Sequence, residues 1–173
     1  MKKYELINDP LIIDIAGQYK NRGWHMKLYR IRAIRTFGDV AKGDIGGYIE
    51  SESNLSHDGN AWVYGNAEVY DNAKVYDDAK VYGNAKVYGN AEVYDEAEVY
   101  GSAIVRGNSN ICREAKVYDT ALIQGDACIG EKARIFGNAV VDEGAHIFYA
   151  NVTGGVVSGD IIIGGYDAYR DDY

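Results

Sequence analysis

Residues 61–100 read AWVYGNAEVYDNAKVYDDAKVYGNAKVYGNAEVYDEAEVY, and this stretch decides the fold. It is a six-residue unit repeated almost without change. Weaker copies follow, from SAIVRG at 102–107 to GAHIFY at 144–149. Aliphatic residues stand at every sixth position from Val63 to Ile147, fifteen in all. Ala stands two places before each one, replaced once by Ser109. Fixed-period similarity of this kind takes precedence over any single motif.

The period excludes a helix. At about 100° per residue, positions six apart lie roughly 600° apart and smear around a helical surface. Short strands fit instead, because Ala-x-Val-Tyr alternates inward and outward. Most units close with Gly-Asn, Asp-Asn, Gly-Ser or Gly-Asp, residues that accept the positive φ of a sharp corner. Three corners close a triangular coil of 18 residues. The expected fold is an all-β solenoid, a parallel β-helix with Val and Ile filling the prism.

The register reaches upstream to Ile49 and Leu55, with two extra residues near His57-Asp58. Downstream, Val152 and Val157 follow by steps of five, and the pattern ends near Ile163. The expectation is six to seven coils, about 30 Å long at a coil spacing of roughly 4.8 Å. The division that follows is a basic N-terminal cap over 1–44, the solenoid over 45–163, and an acidic Tyr-rich tail over 164–173. In the cap, KKYELI and KLYRIRAIRTF alternate as strands do, and DPLIIDIAGQYKNRG reads as a short helix or loop between them.

Charge separates the same parts. Residues 1–42 carry nine Lys and Arg against four Asp and Glu, whereas 43–173 carry nine against 22. An acidic body disfavours long nucleic acid as a partner. No apolar run is long enough to cross a bilayer, and no signal peptide opens the chain, so the expected location is cytoplasmic. Cys112 and Cys128 are too few for a disulfide framework.

The units resemble the hexapeptide repeats of left-handed parallel β-helix proteins, best known among acyltransferases. The small residue four places after the aliphatic matches throughout (Ala67 to Ala145). The Gly usually found after the aliphatic is replaced by Tyr64, Tyr70, Tyr76, Tyr82, Tyr88, Tyr94, Tyr100 and Tyr118. The wording of residues 28–67, LYRIRAIRTFGDVAKGDIGGYIESESNLSHDGNAWVYGNA, is similar to a phage and prophage group of such proteins often labelled transferases. The resemblance implies left-handed coils and a homotrimer. For a phage-encoded protein it implies the host cytoplasm.

Stacking at 18 residues sorts the outward residues onto three faces. Face one carries Tyr64, Tyr82, Tyr100, Tyr118 and Phe136 in one column, beside Trp62, Lys80, Glu98, Lys116 and Arg134. Face two turns apolar at Ile104, Leu122 and Val140, a strip expected to serve as the oligomer interface. Face three carries Tyr76, Tyr94, Cys112, Gly130 and Phe148, beside Lys74, Glu92, Asn110, Cys128 and His146. One edge lacks Gly and Asn, and its Asp77, Asp95 and Glu96 are a weak candidate for a cation; it otherwise reads as a solvated acidic edge.

Three functions fit. The first is a non-catalytic, phage-type homotrimer that sequesters a small anionic, nucleotide-like host defence signal or blocks a host defence protein. Tyr64, Tyr82 and Tyr100 would supply ring faces, and Arg30, Arg32 and Arg35 the charge. The alternative, implied by the resemblance, is an acyltransferase using acyl-CoA with a His general base. His57 beside Asp58 is the best local candidate. Against it, the repeats from 63 to 147 extrude no loop. The third is a structural spacer. The binding reading calls for no cofactor.

Overall fold

The computed structural model describes residues 1–14 and 25–164 as an all-β, left-handed parallel solenoid of about six turns. Each repeat contributes a strand of two or three residues, from Trp62–Val63 to Ile162–Ile163. Strands 18 residues apart pair in parallel, as in Glu68↔Lys86 and Val69↔Val87. They build three sheets, one per face. The aliphatics from Val63 to Ile147 are fully buried, as are the alanines beside them. Burial of a Val or Ile side chain stabilises by about 1.5–3 kcal/mol, so this column is the main source of stability. Ser109 is tolerated in the Ala column because its hydroxyl donates to Arg106 O at 2.7 Å.

Each corner needs one residue at positive φ. Glycine supplies it at Gly83, Gly89, Gly101 and Gly107, among others. The edge without glycine adopts the same conformation. Asp77, Asp95, Arg113 and Glu131 take φ of 56°, 57°, 59° and 54°. An L-residue there costs roughly 1–2 kcal/mol. Coil stacking overrides local preference at this edge.

The cap is woven into the solenoid. β1 (Tyr4–Leu6) and β2 (Leu11–Asp14) pair antiparallel with successive parts of β3 (His25–Ala33). β3 pairs antiparallel with β4 (Ile45–Ile49), and β4 pairs in parallel with Glu68–Val69. One ten-stranded sheet thus runs from the cap down face two. Residues 11–14 are a strand where helix or loop was expected, since β3 offers them a partner. The rest of that segment, 15–24, and the tail from 165 onward lie outside the described residues.

Trp62 also departs from expectation. Its position faces outward, but it is buried, edge-on to Tyr4 (6.0 Å) and Phe37 (5.4 Å) of the cap. A short 3-10 turn, Glu52–Asn54, precedes the insertion near His57. Buried Asn54 donates to Asp71 O at 3.0 Å and Ala73 O at 2.9 Å. Gly59 is obligatory, because a Cβ there would lie 2.2 Å from Asp77 O.

Replacing Asp77 with Gly should relieve one strained corner. The expected gain is about 1 kcal/mol, read as a rise of about 2–4 °C in Tm by calorimetry.

Candidate functional site

The column on face one follows directly from the repeat. Val points inward, so the next residue points out, and coil stacking brings successive rings together. Tyr82–Tyr100, Tyr100–Tyr118 and Tyr118–Phe136 lie 4.7, 4.8 and 4.9 Å apart with interplanar angles of 1–2°. Tyr64 leaves the stack. It meets Tyr82 edge-on at 6.5 Å and donates its hydroxyl to Asp39 Oδ1 at 2.7 Å. Tyr82 donates to Glu98 Oε2 at 2.6 Å, and burial together with that carboxylate raises the Tyr82 pKa. The ring faces of Tyr82 and Tyr100 are covered by their neighbours.

The arginines of β3 take separate tasks. Arg30 ties the cap to the first corner, donating to Tyr48 Oη and Gly46 O (both 3.0 Å), Asn66 Oδ1 (3.1 Å) and Gly65 O (3.3 Å). Its guanidinium lies 4.5 Å from the Tyr48 ring centre. Arg32 pairs with Glu5, its Nε 2.8 Å from Oε1. The register shifts between Arg30 and Arg32. Arg35 lies over Phe37 at 5.8 Å, and its buried Nε has no hydrogen-bond partner among the described residues. Arg30 reaches the corner next to Tyr64, and among the described contacts none joins Tyr82 or Tyr100 to any of the three.

Lys3 joins this end of the molecule. It is fully buried, 5.0 Å above the Phe37 ring, and donates to Asp58 O and Gly59 O at 3.3 Å. Burial, then the nearby Arg35, push its pKa down to about 8, against opposing pulls from Asp58 and Asp78. Nothing in the local pattern marks this lysine; its burial comes from the cap closing over the prism end.

His57 belongs to the same junction. Its Nδ1 accepts the Lys3 N–H at 3.3 Å, and its ring lies 4.2 Å from Tyr4. Nε2 faces Glu52 Oε2 at 3.6 Å. A general base needs a lone pair aimed at substrate, and the Nδ1 lone pair is occupied here. The Asp58 backbone N–H donates to Ser56 Oγ at 3.0 Å, and no hydrogen bond joins Asp58 to His57 among those described. On face three, Tyr76 stacks on Tyr94 at 5.0 Å. A hydrogen bond from Cys128 draws the Cys112 thiol down to about 7, while Cys128 itself is pushed up.

Face two holds Ile104, Leu122 and Val140 in register, all half-buried. Val156 extends the column and is 71% exposed. The slip from six to five residues hid it from the repeat count. The next column is zipped up by hydrogen bonds. Arg106 donates to Tyr88 Oη (3.2 Å) and Gln124 Oε1 (2.9 Å), and Gln124 to Asp142 Oδ2 (2.6 Å). Above it, Met26 and Leu28 of β3 cluster with Tyr70 and cover the top of the face.

At the glycine-free edge, Arg113 stands where a cation would. Its Nε lies 3.9 Å from Asp95 Oδ2 and 4.0 Å from Glu131 Oε1. Among the described residues no cluster of three or more His, Cys, Asp or Glu could hold a metal ion; Asp77, Asp95 and Glu96 do not form one. No protein-family model matches this chain, and no curated protein matches it.

The Lys3 shift has a signed consequence. With its pKa near 8 folded and 10.5 unfolded, only the unfolded chain holds this proton between those values. The unfolded state then binds more protons, so this group makes stability rise with pH from about 8 to 10.5. Urea unfolding of the wild type and Lys3→Met across pH 7.5–9.5 should show that rise in the wild type relative to the variant.

Proposed function

We propose that the protein is a non-catalytic binding protein that works as a homotrimer, its prisms joined through face two. The observation that carries this reading is the column Ile104, Leu122, Val140 and Val156. Four outward aliphatics at a coil spacing of about 4.8 Å make an apolar strip about 14 Å long. Such a strip favours a protein surface over water. Its neighbours satisfy one another by hydrogen bonds, so they add little desolvation cost on contact.

The occupied lone pair of His57 supports binding over transfer, and the acyltransferase reading retains only fold-level analogy. The resemblance of roughly residues 28–150 to phage and prophage proteins supports a role against host defence. The reading is of a rigid trimer in the host cytoplasm that captures a small anionic, nucleotide-like signal, or else covers a host defence protein. Among the described residues no helix is long and apolar enough to cross a membrane.

Sedimentation should give three times the chain mass of 19.1 kDa. Leu122→Asp should dissociate the trimer and leave the circular dichroism of the solenoid intact. A wild-type monomer, or a variant that sediments unchanged, would remove face two from the interface.

A further inference from the structure

The ring column on face one stops before the coil stack does. Tyr118 covers one face of Phe136 at 4.9 Å. The next coil is in register, with Arg134↔Asn151 and Ile135↔Val152. It continues with Thr153, so among the described residues no ring covers the other face of Phe136. The preceding coils show what fits there, since every ring from Tyr82 onward has a parallel partner 4.7–4.9 Å away. Thr153 holds that position of the ladder and brings no ring to it, so Phe136 lacks a ring partner on that side.

A cation stands beside this ringless position. Arg134 is exposed, and among the described residues it has no hydrogen-bond or ion-pair partner. Its neighbours are committed elsewhere. Lys116, in register with it, pairs with Glu98 at 2.6 Å. Lys132 pairs with Glu114 at 3.5 Å, and Asp119 accepts the Gly137 N–H at 3.1 Å. Arg134 and Phe136 lie on the same side of one strand, about 6.6 Å apart along it. A nucleoside monophosphate spans that interval through its ribose, and a guanidinium fork matches phosphate oxygens.

We infer that Phe136 and Arg134 form a site for a nucleoside monophosphate, the base continuing the ring stack and the phosphate meeting the guanidinium. The inference rests on the reading of this chain as a binding protein and supplies the ligand class and its place. Stacking on an aromatic side chain tolerates any base, so the site discriminates charge and flatness more than base identity.

The test titrates the full-length protein with AMP, GMP, CMP and UMP by calorimetry at low salt. Saturable binding by the wild type is expected. Phe136→Leu and Arg134→Gln should each weaken it about tenfold or more. Thr153→Phe supplies the missing ring, and should remove binding while Tm stays level or rises. No binding by the wild type overturns the site, as does binding that all three variants leave unchanged. Inorganic phosphate bound as tightly as the nucleotides, and indifferent to Phe136→Leu, overturns it too. Sedimentation of the same samples separates the readings: a trimer that takes up no nucleotide sinks this site and leaves the face-two assembly standing.

Discussion

The backbone hydrogen bonds between coils govern everything else in the molecule. Lys80 N donates to Ala97 O, Glu98 N to Ala115 O, and Lys116 N to Ala133 O, each at 2.9 Å. Through the regular repeats they hold each residue above the one 18 places on. Each side chain therefore meets a fixed neighbour, which explains a detail of the repeat. Like charges stacked at coil spacing would repel. Instead Lys74 lies over Glu92, Glu68 over Lys86, and Glu98 over Lys116, with ion pairs at 3.2, 2.8 and 2.6 Å. Alternation of Lys and Glu between otherwise identical units relieves that repulsion at these three places, whereas Lys116 lies over Arg134 with no such relief.

The same ladder carries strain and relieves it. A corner that falls on Asp or Glu must adopt positive φ, because its hydrogen-bonded neighbours above and below already have. At one edge the polar side chains repay part of that cost along the stack. Asn72, Asn90 and Asn108 each donate to the residue one coil on, ending at Asp126 (3.0, 2.8 and 2.7 Å). A ladder of identical amides works only in strict register, since each must be donor to one neighbour and acceptor from the other.

Periodicity made the prism legible: the buried Val and Ile column, the Ala positions, the three outward faces and the ring stack all follow from counting by six and eighteen. What it could not reveal depends on contacts outside the count. Trp62 occupies an outward position and is covered only because Tyr4 and Phe37 fold over it. Lys3 and His57 carry no repeat at all, and their burial is a product of closing the prism end. Arg30 and Arg32 alternate as a solvated row would, yet Gly46, Asn66 and Glu5 occupy them. A five-residue step concealed Val156 from the apolar column.

These departures divide the prism along its axis. In the upper coils the cap consumes the polar and aromatic groups: Tyr64 holds Asp39, Lys80 reaches Asp39 at 2.7 Å, and Met26 and Leu28 shield Tyr70. The lower coils lack that cover, so their groups keep surplus capacity. Among the described residues Arg134 has no counter-charge and Phe136 has a ring partner on one side alone, and Val156 stands 71% exposed on an adjoining face. A repeat that perfects every unit would leave nothing unsatisfied and bind nothing. The unpartnered groups of this chain lie where the repeat begins to slip, because there the next coil no longer supplies each side chain with its copy.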